Sequence, residues 1–364
     1  MKDTEFRVCV SCSTFNHSKY IEDAMEGFAM QRTDFPYVCI VSDDASTDGE
    51  PAVIQAYLER NFDLSGASFE ETDDYRLIFA RHKTNLNCHF AVFFLKYNHY
   101  SIKKPKRVYY NRFMDGVDYI AICEGDDYWT CPEKLQKQLT VMDAHPECTI
   151  AYNRVSTVTA DKSPLDWTIP PKDRLTGKNI VKLEDLCQSE FARKGKWTFH
   201  TSSFFIRREM YWKYFELRKT LFRDFPYGDM PMELTCLMEG SGCLLQETMG
   251  CYRVLSGGYN SRMAANPEAA MRNELKLSEA FDRVARHLNG RCYKLLRRES
   301  LKHEYLYHRK MLWSTSERGR WRIFLPKHYR FYTFKDFFKF PIVFCIGGEK
   351  AHRIFTKISL DKNV

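Results

Sequence analysis

No stretch of the 364 residues approaches the roughly 18–20 uninterrupted apolar residues that a membrane span needs. An apolar leader is missing too: MKDTEFRVCVSCS is polar and then directly strand-like, without the core of a signal peptide. The 13 cysteines do not form a disulfide framework, being odd in number, scattered and attached to no export signal. Reduced thiols and a cytoplasmic protein are therefore expected. There is no internal repeat and no low-complexity tract, which excludes solenoids and arrays. Hydrophobic residues at 44% and charged residues at 28% are ordinary globular usage and exclude a largely disordered chain. The length suits one large domain, or a catalytic domain with an appendage.

The net charge of +8 is unevenly spread. From Arg286 to Val364 there are 19 Lys and Arg against 6 Asp and Glu, a net of +13, so the rest of the chain stands at −5. A mildly acidic body carries a basic C-terminal quarter.

In the first 155 residues, short apolar runs alternate with helix-period segments. Strands are expected at Phe6–Cys12, Tyr37–Ser42, Arg76–Ala80, Tyr119–Cys123 and Thr149–Val155. Helices are expected at Ser18–Arg32, Pro51–Asn61, Cys88–Tyr100 and Pro132–His145, with Phe62–Asp74 an acidic surface loop. Such alternation predicts an α/β fold built on a mostly parallel sheet flanked by helices. Residues 156–180 are Pro-rich and aperiodic and read as a long connection. Beyond them, Trp197–Arg207 and Leu244–Val254 are strand-like, while Met232–Met238 and most of Glu268–Trp313 are helical.

Ligands of such sheets sit beyond the carboxyl ends of the strands, and polar loops collect there. Ser13–His17, Asp43–Gly49, His82–Asn87 and Glu124–Thr130 follow four successive expected strands. In Glu124-Gly125-Asp126-Asp127-Tyr128-Trp129, three carboxylates in four residues repel one another unless something positive sits among them. Acid-x-acid spacing turns alternate side chains the same way, and Mg²⁺ or Mn²⁺ prefers such oxygen ligands. A solvated acidic turn ahead of the Pro132 helix is the plainer alternative. In Asp43-Asp44-Ala45-Ser46-Thr47-Asp48-Gly49, turn formation and helix capping account for Ser46, Thr47 and Asp48 but leave Asp43 without a local task. Gly228-Asp229-Met230-Pro231 opens a helix, either as a cap or as an acidic functional group, and Tyr252-Arg253 precedes Ser256-Gly257-Gly258 after another strand.

With these elements the chain resembles the family 2 glycosyltransferases of the GT-A fold. SCSTFN resembles their first strand and loop, and VSDDASTDG their second-strand acidic signature. AICEGDDYWTCPEKLQKQL resembles their metal-binding loop and following helix, and GDMP ahead of YRVLSGG their acceptor-side segment. The resemblance spans roughly residues 5–260 and implies a nucleotide-sugar-binding, catalytic GT-A (Rossmann-like) domain over 1–260. A helical, basic, aromatic-rich region over 261–364 would follow. It implies metal-dependent, inverting transfer of a sugar from a nucleotide-sugar donor to a glycan or lipid-linked acceptor hydroxyl, in polysaccharide biosynthesis. By position, Ser13, Phe15 and Asp43 would line the nucleobase and ribose pocket, with Lys83 and Asn85 nearby. Asp126 would hold the divalent metal (Mn²⁺ or Mg²⁺), with Asp127 and Glu124 supporting it, and Asp229 would be the general base. Three positions depart from the family pattern. Glu124 stands where Asp is usual, Cys131 where Asp is frequent, and Leu255 where many relatives have a His. Arg253 or Ser256 would then take over the phosphate contact, and Glu233, one helical turn from Asp229, is an alternative base.

Cys9-Val10-Ser11-Cys12 has C-x-x-C spacing but lies in an expected strand with no second pair, so buried thiols are expected rather than zinc. His89 and His99 read as core or cleft-wall residues, and Trp129 and Trp197 as buried aromatics or sugar-stacking platforms. Residues 318–358 mix Arg and Lys with aromatics around the short apolar run Phe340–Gly347. This pattern suits peripheral contact with an anionic membrane, a basic helical subdomain, or, less well, nucleic acid. Two other functions fit the nucleotide-and-metal pattern. A sugar nucleotidyltransferase would show a Gly-rich loop after the first strand, where Ser13–Tyr20 has no glycine. A non-catalytic sugar-nucleotide-binding protein on the same fold is prompted by Leu255.

Overall fold

A computed structural model describes residues 5–188, 198–255, 266–288, 290, 292–313, 329–331, 347 and 351. The expectations for Trp197, for Ser256-Gly257-Gly258 and for nearly all of 318–358 fall outside these residues.

The chain divides into two compact units. The first draws on residues 1–190, 195–216 and 229–255, and the second on 217–228 and 256–364. The first unit is α/β, with a twelve-stranded sheet flanked by helices. Its strands are β1 (Val8–Thr14), β2 (Tyr37–Asp43), β3 (Phe62–Glu71), β4 (Tyr75–His82), β5 (Cys88–Leu95) and β6 (Tyr119–Ile122), followed by β7 (Tyr128–Trp129), β8 (Cys148–Val158), β9 (Pro164–Ile169), β10 (Ile180–Val181), β11 (Phe205–Arg207) and β12 (Ser241–Arg253). Its helices are α1 (Ile21–Ala29), α2 (Glu50–Asn61), α3 (Arg107–Met114), α4 (Lys134–Ala144), α5 (Leu183–Cys187), α6 (Arg208–Lys219, whose last turn falls in the second unit) and α7 (Asp229–Glu239). Strand order is β10-β12-β8-β11-β6-β1-β2-β5-β4-β3, with β7 on β12 and β9 on β8.

The expectation of a mostly parallel sheet is met in part. Parallel pairing is confined to β6-β1-β2-β5 and to β8-β12, and the other pairings are antiparallel. Because β11 runs against both β6 and β8, the two parallel blocks still point the same way. The carboxyl ends of β1, β2, β5, β6, β8 and β12 thus form one continuous edge. Every residue of β2 and β5 is buried, which requires cover on both faces. On α1, Ile21, Ala24, Met25 and Phe28 recur at the 3–4 spacing that turns one stripe inward. Gly27 lets that helix lie on the Trp129 backbone, since a Cβ there would stand 2.9 Å from its nitrogen. Trp129 packs edge-on against Phe28 and donates its indole N–H to the Ser202 carbonyl at 2.9 Å, so it is a core residue.

Local pattern misled at several elements. CHFAVFFL, expected to be helical, is the buried strand β5, because a short continuous apolar run carries no period to separate helix from strand. Phe62–Asp74, expected as a loop, contains the edge strand β3, where Asp63, Glu70 and Glu71 put charge on an otherwise open edge. Within 156–180, β8 continues to Val158 and folds back through β9. The helix α3, not among the expected elements, buries Tyr110 and Met114 at i, i+4 spacing. His89 and His99 are both buried, and the described cysteines are all free thiols.

The second unit contains α8 (Pro267–His287) and α9 (Tyr293–Trp313). On α8, Leu277, Ala280, Phe281, Val284 and Ala285 form the buried stripe. His303 of α9 stacks on Phe281 and reaches Glu274 at 2.7 Å and Glu299 at 3.4 Å, while Lys310 reaches Glu274 and Lys302 reaches Glu299. Burial lowers His303, but the two glutamates outweigh it and hold its pKa above the ordinary 6.5. Burial raises Glu274 and Glu299, but their cationic partners hold both below the ordinary 4.5. The histidine's contribution is complete below 6.5 and is lost as pH rises through its raised value. The glutamates' contribution is complete above 4.5 and is lost as pH falls through their lowered values. Helical stability should therefore peak between about pH 4.5 and 6.5. Urea unfolding followed by circular dichroism at 222 nm should show a midpoint that falls from pH 6 to pH 9 in the native protein and much less in His303→Gln.

Candidate active site

The site is built at the shared carboxyl edge of the first unit, beginning with Glu50, the first residue of α2. It is fully buried and accepts hydrogen bonds from the Thr14 hydroxyl, the His17 backbone N–H at 2.8 Å and the Ser46 hydroxyl at 2.8 Å. One carboxylate thus ties the loop after β1 to the loop after β2. Asn16 strengthens the tie, donating its N–H to Ser46 Oγ at 2.8 Å and accepting the Thr47 N–H at 2.9 Å. Asp48 accepts from Ser18 N–H and from Glu50 N–H, while Gly49 and not Asp48 holds the N-cap position of α2.

Asp43 and Asp44 end β2 with different partners. Asp44 is 2% exposed and accepts the N–H groups of His99 at 2.8 Å and Tyr100 at 3.1 Å, with Lys106 Nζ at 3.3 Å. Asp43 is 1% exposed and accepts the Ser46 N–H at 3.2 Å. Burial pushes its pKa up to about 6 despite that bond. Ser13 and Phe15 stand exposed at the end of β1 and just beyond it, with Phe15 41% accessible.

The acidic loop alternates in the way its spacing predicts. Cys123, Gly125, Asp127 and Trp129 are buried, and Glu124, Asp126 and Tyr128 are half-buried. Gly125 donates its N–H to the Ser13 carbonyl at 3.1 Å, and a Cβ there would fall 2.2 Å from Thr14 Oγ1. Only glycine lets the acidic loop lie on the end of β1. Asp126 Oδ2 stands 3.8 Å from His17 Nε2. Glu124 Oε2 is buried with no hydrogen-bond partner among the described residues. Burial, with Asp126 and Asp229 adding to it, pushes Glu124 up to about 8. Asp229 opens α7, is half-buried and accepts the Met230 N–H at 2.8 Å. Burial carries it up to about 6. The charge of Asp229 reaches Glu124, which puts the start of α7 near the acidic loop.

Four expectations change. Asp127 does not stand beside Asp126. The alternation turns it inward, where Oδ1 accepts the Arg253 N–H at 2.9 Å and Oδ2 lies 3.6 Å from His200 Nδ1. Arg253 lies at the correct edge but is 1% exposed. Its guanidinium is bound to Asp23 at 2.8 Å and held over the rings of Tyr20 and Tyr128, so it braces the loop and does not face a phosphate. Lys83 and Asn85 are at the opposite end of the sheet, because β4 runs antiparallel and the loop after it meets the start of β2. There Asn85 donates to the carbonyls of Ala29 and Gln31, and Lys83 to those of Glu59 and Arg60. Glu233 is 4% exposed near Tyr152 and Cys236, more deeply buried than the half-buried Asp229.

The missed residues are Glu50, His17 and His200. Burial drives His200 down to about 3, and its ring lies 4.3 Å from that of Tyr252. His17 ends the first polar loop, and Glu50 directly follows the second. Their long-range partners have no signature in the sequence.

Among the described residues no group of three or more His, Cys, Asp or Glu has the spacing of a complete metal cage. Glu124 and Asp126 do fit a hard divalent cation. They are oxygen donors, they repel one another, and one buried oxygen lacks a partner. Mg²⁺-type sites use one or two carboxylates and leave the remaining positions to water and phosphate.

No family model matches the chain. Uncharacterized proteins of Mycobacterium tuberculosis and Mycobacterium bovis are 30% identical over 244 residues, which is 66% of this chain and 56% of theirs. The chain thus spans a little over half the length of the curated relatives it matches. Among solved structures, S. aureus TarS 1–349 in complex with UDP-GlcNAc is 14% identical with a TM-score of 0.45, covering 85% of this chain and 80% of that one. The mannosyltransferase PcManGT from Pyrobaculum calidifontis, in complex with GDP-Man and Mn²⁺, is 15% identical with a TM-score of 0.46, covering 85% and 74%.

Gly125→Ala should destabilise the first unit by about 1–3 kcal/mol, the range for overpacking a tight contact. Chemical denaturation compared with Gly116→Ala, where a Cβ meets nothing within 4 Å, isolates the steric effect.

Proposed function

We propose that the chain is a glycosyltransferase of the GT-A type that moves a sugar from a nucleoside-diphosphate sugar to an acceptor hydroxyl. The observation that carries this reading is that Asp229, at the start of α7, comes near Glu124 and Asp126 of the acidic loop. They share one sheet edge with Asp43, and Glu124 keeps a buried oxygen there without a partner among the described residues.

In this reading Phe15 offers an exposed ring to the nucleobase, and Ser13 and Asp43 bond the base or ribose. Asp126 holds a divalent cation, Mn²⁺ or Mg²⁺, with Glu124 beside it. Asp127 leaves the metal set and fixes the loop through Arg253. When bound, the ion offsets the charge developing on the departing nucleoside diphosphate. Asp229, with a pKa of about 6, is largely ionised at neutral pH and suited to take the acceptor's proton. Inversion follows if that acceptor attacks in a single displacement from the face opposite the leaving group. A glycan or lipid-linked glycan made at the cytoplasmic face of a membrane completes the proposal.

A thermal-shift series with UDP, GDP, CDP and dTDP, each with Mn²⁺ or EDTA, tests it. One nucleotide at about 100 times its Kd should raise the midpoint by about 5 °C, only with metal and not in Asp126→Ala. Asp229→Asn should keep that shift and lower turnover of the matching nucleotide sugar by about 10²–10⁴-fold. No shift with any nucleotide would sink the reading. A metal-dependent shift without turnover of any nucleotide sugar would leave a binding protein.

A further inference from the structure

The segment from β5 to the first turn of α3 gathers three of the exposed large apolar side chains into one short stretch. Tyr100 is 79% exposed, and Ile102 and Val108 are each 58% exposed, all within nine residues. Four cationic residues, Lys103, Lys104, Lys106 and Arg107, fall among them.

This exposure is built into the loop. Asp44 clamps the His99 and Tyr100 N–H groups and receives Lys106 Nζ. Ser101 N–H closes on Asn98 Oδ1 at 2.7 Å, and Lys104 N–H on the His99 carbonyl at 2.9 Å. Lys104 Nζ is anchored to Asp74 at 2.7 Å, and Arg107 lies over the Phe215 ring. Lys103, exposed at φ +56°, makes no ion pair among the described residues. A loop this firmly tied could have turned its aliphatic side chains inward. It holds them in water beside positive charge, the combination that interfacial membrane binding uses.

We propose that residues 99–108 dock the chain on an anionic lipid bilayer. Tyr100, Ile102 and Val108 enter the boundary between headgroups and acyl chains, and Lys103, which has no ion pair among the described residues, meets the lipid phosphates. Two of the three exposed side chains are aliphatic and cannot stack on bases, which favours a bilayer over nucleic acid. The clamp on Asp44, next to Asp43, sets this surface at the same sheet edge as the candidate active site. If the transferase reading holds, an acceptor carried by a lipid would be presented at that edge. The docking surface itself does not require that reading.

The test uses the full chain, phosphatidylcholine vesicles with and without about 30% phosphatidylglycerol, and two readouts, co-sedimentation and backbone hydrogen exchange. The native protein should bind the anionic vesicles, with slowed exchange at 99–108. Tyr100→Ser, Ile102→Ser and Val108→Ser combined should lower the partition by about tenfold or more at an unchanged thermal midpoint. Lys103→Glu should weaken binding to anionic vesicles alone. Equal partition of the triple variant and the native chain, which would place the contact elsewhere, overturns the proposal. So does unaltered exchange at 99–108, or protection there by single-stranded DNA and not by vesicles. None of these outcomes depends on sugar transfer.

Discussion

Crowded negative charge at one edge of a sheet is the condition around which the first unit is arranged. Asp43, Asp44, Glu50, Glu124, Asp126, Asp127 and Asp229 come from four separate segments, and like charges brought so near in a low-dielectric setting must be compensated or neutralised. The fold does this unequally. Asp44, Glu50 and Asp127 are bound by backbone N–H groups, a hydroxyl or a lysine, and act as clamps on loops. Glu124, Asp43 and Asp229 are left with raised pKa values, and Glu124 with an oxygen unpartnered among the described residues. This division separates the carboxylates that build the edge from those available to a guest.

The clamps are long-range, which is why the edge is well defined. Glu50 joins the first two loops, Asp44 joins the end of β2 to the segment after β5, and Asp127 joins the acidic loop to the last residue of β12. Arg253 extends the last of these to α1 through Asp23, which Lys162 of the β8–β9 turn also reaches. Gly125 supplies the close approach on which the arrangement rests. Without it the acidic loop and the end of β1 could not be in contact.

Strand direction decided which polar loops meet. β8 and β12 are separated from the central parallel block by the reversed strand β11, so their carboxyl ends return to the same edge. β4, reversed beside β5, sends its following loop to the other edge. Lys83 and Asn85 therefore serve as braces for backbone carbonyls, although their loop looks in sequence like the other three.

By itself, the sequence determined the α/β class, most of the strands and helices that carry polar loops, the acidic loop with its inward and outward alternation, and the helix that starts at Asp229. Those features follow from local period, capping and composition, which act over a few residues. Only the tertiary structure decided that CHFAVFFL is a strand, that the sheet is mixed, and that Glu50 and His17 belong to the site. It likewise turned Asp127 and Arg253 inward as braces. Glu50 reaches His17 across 33 residues, Asp127 reaches Arg253 across 126, and Arg253 reaches Asp23 across 230, and the free energy of burial and pairing that fixes such contacts has no local signature in the chain.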